Sequence, residues 1–145
     1  MIQTILRVGS RMLVSKLRVV VLAVLAGVLP ILGQAQTPLT NGSNHPGTMT
    51  ANGSVEYSFT GVAGQGVELR VGATNFVPKI ELFASNGTLL GTAPPTAPGG
   101  NTRDVVLTSN FPAADTYRVK VTSYYANGAG PYSLRFAAAP GLFLP

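Results

Sequence analysis

The sequence predicts an all-β protein in which two antiparallel sheets, built from seven or eight short strands, pack face to face. Three observations predict this fold. After about residue 35, apolar side chains recur at every second position, which is the period of a strand and not of a helix. Charged side chains take the alternate positions. Gly, Asn and Pro residues separate the segments at the short spacing that is typical of sandwich strands.

The alternation is clearest in five segments, each with two or three apolar side chains on one side. They are SVEYSFT, GVELRVG, PKIELFA, TYRVKVT and PYSLRF, which begin at residues 54, 66, 78, 116 and 131. The charged residues of these segments all fall on the opposite side, namely Glu56, Glu68, Arg70, Lys79, Glu81, Arg118, Lys120 and Arg135. Since an unpaired charge in an apolar core costs several kcal/mol, this side should face water. A sixth segment, RDVVLT, is apolar at both Val105 and Val106, so its inward side stays open.

Turn-forming residues lie between these segments. SNG, residues 85–87, predicts a hairpin turn, because Asn and Gly tolerate positive φ. GVAGQG, residues 61–66, predicts another turn, and TAPPTAPGGN, residues 92–101, predicts a longer irregular loop.

The last two strands, within residues 115–136, are expected to pair as one antiparallel ribbon. Pairing of Tyr125 with Tyr132, or of Tyr124 with Pro131, keeps the apolar residues of both strands on the same side. If the alternation continues, Tyr124 points outward. The outward side of the ribbon then contains Arg118, Lys120, Tyr124 and Arg135.

Residues 1–35 are predicted to be a secretory signal peptide, cleaved after Ala35. A basic leader precedes an apolar run of 14 residues, 19–32, and a small-x-small site follows at Gly33 and Ala35. The run contains Pro30 and is shorter than the ~20 residues of a membrane-spanning helix. An uncleaved anchor is the alternative, and Met12 is an alternative start.

Composition and charge exclude several classes of function. The chain has ten basic and five acidic residues, but four of the basic ones lie in the leader, which leaves six against five and a net charge of +1. Nucleic-acid binding needs a clustered basic surface and gains little support from this balance. The absence of cysteine excludes disulfides and thiolate metal sites. About 110 residues can nevertheless hold a core by packing alone.

In their order and spacing, several motifs resemble those of the bacterial pre-peptidase C-terminal (PPC) domain, whose members include the collagen-binding modules of clostridial collagenases. They are Ala63-Gly64-Gln65, the hairpin from Leu82 to Leu90, Thr116-Tyr117, and Gly130-x-Tyr132-x-Leu134. The resemblance spans about residues 41–137. It implies a jelly-roll-like antiparallel β-sandwich over residues 36–137, after the signal helix and before an apolar tail, 138–145.

The sequence departs from the family pattern at two points. Asp115 stands where the family usually has Gly before Thr-Tyr, and the turn there relies on the ability of Asp to enter the left-handed backbone region. Some relatives bind calcium through acidic residues near the domain start, but residues 37–50 contain no acid. Because calcium usually requires carboxylates, we expect no calcium site and no other cofactor.

No pattern in the sequence indicates catalysis. His45 is the only histidine, and a Ser-His-Asp set could be drawn only by combining it with Asp104 or Asp115 and one of several serines. Neither G-x-S-x-G nor H-E-x-x-H occurs. His45 precedes Pro46 in a stretch rich in Gly, Ser and Asn, which favours an exposed loop. We therefore expect that the chain is not an enzyme.

Tyr124 and Tyr125 are the strongest candidates for ligand contact, since tyrosines near a loop edge are enriched in interfaces. In the resembled collagen-binding modules, tyrosines on the sheet surface contribute to binding. The predicted ligand-binding residues are Tyr124, Tyr125, Arg118, Lys120 and Arg135. Phe76 is a further aromatic candidate. The alternative is that Tyr125 caps the core and Tyr124 is merely exposed.

Together these observations favour a secreted module, extracellular or periplasmic, that binds an extracellular protein or a cell-envelope polysaccharide. We expect no nucleic-acid partner, and no membrane contact once the signal peptide is removed. The alternative is a structural subunit or accessory chain of an envelope complex or of a separately encoded peptidase. The apolar tail AAAPGLFLP favours that alternative.

Overall fold

A computed structural model describes residues 36–94 and 102–139 of the chain, and these form nine strands in two sheets. The strands are β1 (Thr37–Pro38), β2 (Asn44–Met49), β3 (Ser54–Gly61), β4 (Gly66–Ala73), β5 (Pro78–Phe83), β6 (Leu89–Ala93), β7 (Asp104–Asn110), β8 (Asp115–Ser123) and β9 (Gly130–Ala139). The five-stranded sheet has the order β1-β3-β8-β5-β6, and the four-stranded sheet has the order β2-β9-β4-β7. Apart from the short parallel pair β1 and β3, neighbouring strands are antiparallel. The predicted all-β sandwich is confirmed.

The predicted division into an apolar and a charged side is also confirmed. Val67, Leu69 and Val71 on β4 have no exposed surface, and no charged residue is buried among the described residues. The sequence left open which side of RDVVLT, residues 103–108, faces the core, and the structure shows it. Val105 is buried, whereas Val106 is 46% exposed on the outer face.

The predicted ribbon of the last two strands is wrong, because β8 and β9 lie in different sheets. β8 pairs with β3 and β5, and β9 pairs with β2 and β4. The loop between them, residues 124–129, therefore crosses from one sheet to the other. Alternation specifies which side of a strand faces the core, but it does not specify the neighbouring strand. Both arrangements bury the same side chains.

Strand β2 was not predicted, and His45 lies within it rather than in an exposed loop. Its sequence, NHPGTM, contains residues that are rare in strands. β2 is at the edge of its sheet, where a proline such as Pro46 is tolerated. Gly47 lies opposite Tyr132, and a Cβ atom at Gly47 would come within 2.5 Å of the tyrosine ring. The glycine therefore leaves room for that ring.

The hairpin around SNG is confirmed as the connection between β5 and β6. Gly87 has a φ of 86°, and its N–H donates to the carbonyl of Ala84 over 3.0 Å. Strand β6 continues to Ala93, two residues into the stretch predicted as a loop. Asp115 does not use the left-handed region, since Asn52 is the one non-glycine residue with positive φ in the described part of the chain.

Several predictions fall on other parts of the chain. The signal peptide over residues 1–35, its alternatives and most of the apolar tail lie outside the described residues. β9 extends to Ala139, two residues past the predicted end of the domain. Within the described residues, no helix is long and apolar enough to cross a membrane.

An aromatic cluster joins the two sheets at one end of the core. The rings of Phe59, on β3, and Phe136, on β9, have centroids 4.5 Å apart. Phe111 stacks on Tyr117 at 4.1 Å, and both rings also lie against Phe59. The Tyr117 hydroxyl donates to the carbonyl of Ala113 over 2.6 Å, which satisfies its polar atom at the rim of the cluster.

One buried hydrogen bond joins the sheets further along the core. The hydroxyls of Tyr57, on β3, and Tyr132, on β9, are 2.7 Å apart, and the two residues are 4% and 5% exposed. Burial raises the pKa of Tyr132 far above its ordinary value, and the bond to Tyr57 raises it further. Each hydroxyl satisfies the other, so a polar pair is accommodated where water is excluded.

This arrangement predicts strong coupling between the two tyrosines. Tyr132→Phe or Tyr57→Phe alone should lower the free energy of unfolding by about 1–3 kcal/mol, because the remaining hydroxyl is buried without a partner. The double Phe variant should lose much less than the sum of the single losses. Urea unfolding of the four proteins in a double-mutant cycle measures this coupling. Simple additivity of the two losses would contradict it.

Candidate functional site

The sandwich separates the basic residues that the sequence grouped together. Arg118 and Lys120 lie on β8, on the outer face of the five-stranded sheet, whereas Arg135 lies on β9, on the outer face of the four-stranded sheet. They cannot form one surface, because the assumed pairing of β8 with β9 does not exist. The role of each residue in ligand binding stays a prediction.

The charges on the outer face of the five-stranded sheet largely satisfy one another. Lys79 and Glu81 form an ion pair of 2.7 Å, and Arg118 approaches Glu56 at 3.4 Å. Lys120 lies between Glu56 and Glu81 in the strand register. The Arg118 guanidinium also lies 4.9 Å from the centre of the Phe83 ring. This face therefore has few unmatched charges to offer a ligand.

The outer face of the four-stranded sheet has a different charge pattern. Arg70 on β4 and Arg135 on β9 are direct cross-strand partners, an arrangement that places two like charges side by side. Arg70 is held by Asp104, whose carboxylate accepts hydrogen bonds from Arg70 Nε over 2.9 and 3.1 Å. On its other side, Arg135 faces Asn44 of β2, which has no charge.

A glycine creates a depression beside these arginines. Gly72 occupies an outward position on β4, opposite Ser133 on one side and Asp104 on the other. A Cβ atom at Gly72 would meet no other atom within 4 Å, so the side-chain layer has a gap at this point. The resulting cleft has a volume of about 510 Å³ and is lined by Asn44, Arg70, Gly72, Ala73, Thr74, Arg103, Asp104, Ser133 and Arg135.

A second hollow adjoins the cleft at the end of the sandwich. It has a volume of about 270 Å³ and is lined by Asn75, Phe76, Val77, Arg103, Tyr125, Asn127 and Gly128. Phe76 and Val77 are almost fully buried. Arg103 lines both depressions, so they are adjacent. We call the combined region, centred on Arg70, Arg103, Arg135 and Tyr125, the arginine–tyrosine surface.

Of the two predicted tyrosines, Tyr125 is the more accessible, with 52% of its surface exposed, whereas Tyr124 is half-buried. The sequence had favoured Tyr124 as the outward residue, but Tyr125 is the more exposed of the two, so Tyr125 does not cap the core. The two rings meet edge to face, with centroids 5.3 Å apart. The loop is held in place because the Tyr124 N–H donates to Val77 and the Gly128 N–H donates to Tyr125.

The residues considered for catalysis are engaged in other contacts. His45 Nε2 accepts a hydrogen bond from the Thr40 N–H over 3.2 Å. Asp104 is bonded to Arg70, and Asp115 accepts hydrogen bonds from the N–H groups of Ser85 and Thr116. Within the two described ranges, no three His, Cys, Asp or Glu side chains are grouped so that they could hold a metal ion.

Only part of this surface could be predicted from the sequence. Arg135, Tyr125 and Phe76 were candidates, but Arg70, Arg103 and Gly72 were not. The outward parity of Arg70 and Arg135 was visible in the sequence. Their proximity was not, because it depends on the pairing of β4 with β9.

The chain is thus a two-sheet β-sandwich with an outer surface rich in arginine and tyrosine. No family model and no curated protein matches it. Solved structures do share its fold. PliG of Aeromonas hydrophila, a periplasmic lysozyme inhibitor of g-type lysozyme, is 18% identical with a TM-score of 0.58, over 72% of this chain and 96% of that one.

Two further structures show the same fold. The pre-peptidase C-terminal domain of collagenase from Bacillus anthracis is 14% identical with a TM-score of 0.56, over 70% of this chain and 93% of that one. PliG of Salmonella Typhimurium, also a periplasmic inhibitor of g-type lysozyme, is 18% identical with a TM-score of 0.50, over 72% and 97%. The resemblance to the PPC domain is therefore confirmed for the fold.

The ion pair between Arg70 and Asp104 predicts a pH dependence of stability. Hydrogen bonding to Arg70 lowers the pKa of Asp104 from its usual value near 3.8. A lowered folded-state pKa stabilises the fold above the unfolded-state pKa, and this contribution disappears as pH falls through the folded-state value. Asp104→Asn should therefore be less stable than the wild type at pH 7, and the difference should shrink below about pH 4.

Urea unfolding of both proteins between about pH 2 and pH 7 measures this difference. Glu68→Gln, on the same face, is the control: the Glu68 carboxylate acts on Arg70 through its charge but has no hydrogen bond or ion pair among the described residues, so its loss should change the stability less. A stability difference for Asp104→Asn that stays constant throughout this pH range would contradict the assignment.

Proposed function

We propose that this chain is a non-catalytic module that binds a protein partner outside the cytoplasm, and that it does so through the arginine–tyrosine surface. The observation on which the proposal rests is that the cleft and the hollow lie side by side, with Arg103 lining both. Exposed tyrosine and arginine side chains are the types most enriched at the centres of protein interfaces. Here they lie together on a surface supported by β4, β9 and the loop after β8.

The position of Tyr125 is favourable for recognition. A tyrosine presents a large, rigid and amphipathic contact area whose immobilisation costs little conformational entropy. The hydrogen bonds from Tyr124 and Gly128 already order the loop, so binding need not order it. The buried Phe76 and Val77 beside it give the hollow an apolar floor.

The structural comparisons support a binding role of this kind. The two PliG proteins are described as inhibitors of a lysozyme, so in them this fold serves the recognition of a protein. Both are also described as periplasmic, in agreement with the basic and apolar leader of this sequence. The contacts of His45, Asp104 and Asp115 favour a module without catalytic activity.

The proposal is tested by measuring binding to two named ligands and by capturing unknown partners from the periplasm. The immobilised chain is titrated with a g-type lysozyme and with a collagen-like triple-helical peptide, and is used to capture proteins from the periplasm of the producing cell. We expect saturable binding to at least one protein. Tyr125→Ser should weaken this binding about tenfold or more, as expected for an anchor residue of an interface.

Val62→Ser is the matched control. Val62 is 59% exposed, comparable to Tyr125, but it follows β3 at the opposite end of the sandwich. Its substitution should leave the affinity unchanged. The proposal fails if no protein binds, or if binding depends on Val62 and not on Tyr125.

A further inference from the structure

We infer that the cleft lined by Arg70, Arg103 and Arg135, which we call the arginine cleft, binds a carboxylate side chain from an acidic, extended segment of the protein partner. An apolar side chain of the same segment enters the hollow beside Tyr125. This inference rests on the proposed function, because it specifies the chemistry of the partner at the same surface. The recognised segment would thus combine an acidic residue with an adjacent apolar or aromatic one.

The cleft has unmatched positive charge. Three arginines line it, and the single carboxylate there, Asp104, is bonded to Arg70. Neither Arg103 nor Arg135 has a side-chain hydrogen bond or ion pair among residues 36–94 and 102–139. A carboxylate placed between Arg70 and Arg135 would relieve the repulsion between these two cross-strand neighbours.

The shape of the cleft also suits a carboxylate. An arginine guanidinium binds a carboxylate through two parallel hydrogen bonds, which requires space in front of its planar end. Gly72 provides this space, because the position between Ser133 and Asp104 has no side chain. The carbonyl of Arg103 accepts a hydrogen bond of 2.7 Å from the Ala73 N–H, which fixes the backbone of that arginine at the rim.

The charge pattern of this face suits a peptide better than a polyanionic polymer. A polymer with regularly spaced negative groups requires an extended track of positive charge. On this face Glu68 lies two residues from Arg70 on the same side of β4, so the positive region is short. Where the positive charge ends at Arg103, the surface continues into an apolar hollow containing Phe76 and Tyr125. This combination matches a short segment with one acidic and one apolar side chain.

The test is an NMR titration of the ¹⁵N-labelled domain with the synthetic peptide Gly-Ser-Asp-Glu-Phe-Ser-Gly, blocked at both ends. Its isostere, in which Asn and Gln replace Asp and Glu, is the ligand control. We expect amide shifts confined to Gly72, Arg103, Tyr125 and Arg135, with little change for the isostere. Binding should weaken between about 20 mM and 200 mM salt, since these charges are exposed.

Two protein variants test the cleft itself. The double variant Arg103→Gln and Arg135→Gln should reduce the affinity for the peptide about tenfold or more, whereas Lys79→Gln, on the outer face of the five-stranded sheet, should leave it unchanged. Gly72→Val should also abolish binding by filling the depression. This variant should fold normally, because Cβ atoms have room there and Gly72 does not have a positive φ.

Several outcomes would overturn the inference. The first is that the amide isostere binds as tightly as the acidic peptide. The second is that the double variant Arg103→Gln, Arg135→Gln keeps the affinity of the wild type. The third is that the peptide shifts the amide signals of Arg118 and Lys120 instead of those around the cleft. Binding of alginate, a polymer of uronic carboxylates, at this cleft without binding of the peptide would also overturn it.

The failure of this inference can be distinguished from the failure of the proposed function. If binding of the captured protein depends on Tyr125 but not on Arg103 and Arg135, the proposed function stands and the carboxylate assignment fails. If no protein partner binds, the proposed function fails, and the peptide titration still decides the chemistry of the cleft.

Discussion

The packing of two apolar sheet faces against each other is the constraint on which the rest of the structure depends. Without cysteines, the described part of the chain is held together by side-chain burial and by the hydrogen bonds of the two sheets. The polar contact between Tyr57 and Tyr132, which joins the sheets in the interior, is reciprocal and leaves neither hydroxyl unsatisfied. The charges of the strands are consequently confined to the two outer faces, which are the surfaces available to a partner.

The two outer faces are similar in charge but differ in how the charges are arranged. On the five-stranded sheet, acidic and basic residues alternate across strands, so that Lys120 lies between Glu56 and Glu81. On the four-stranded sheet, two arginines are adjacent and the nearby carboxylate is bonded to only one of them. The strand register, and not the net charge, therefore determines which face can attract an acidic ligand.

Strand identity and orientation could be predicted from the sequence because both are local properties. In β4 and β8, the alternation of apolar and polar residues is enough to predict which side of the strand faces the core. The partners of a strand are not local, and β8 would bury the same side chains beside β9 as it does beside β3 and β5. This ambiguity produced the wrong ribbon and placed Arg118 and Arg135 on one surface. β2 was missed because its Asn, Pro and Gly residues form a strand only through pairing at the sheet edge.

The crossing of the loop after β8 explains why the tyrosines and arginines meet. A tight hairpin between β8 and β9 would have placed Tyr125 along one sheet. The crossing instead positions it beside Phe76, in the loop between β4 and β5, and beside Arg103, ahead of β7. The surface thus combines residues from separate parts of the chain, and no single motif could have revealed it.

Two features of the arginine cleft oppose the stability of the sheet that contains it. A glycine within a strand removes a side chain that could pack, and like charges on directly opposed residues repel each other. Gly72 and the pair of Arg70 with Arg135 introduce both features within two residues of the same central strand. Gly72 has no structural benefit on this open face, since a Cβ atom would fit there without contact. The carboxylate of Asp104 offsets the charge of Arg70 but not that of Arg135. Local violations of sheet preferences are expected at functional sites. Their coincidence beside an exposed tyrosine supports the location of the proposed binding function on this face.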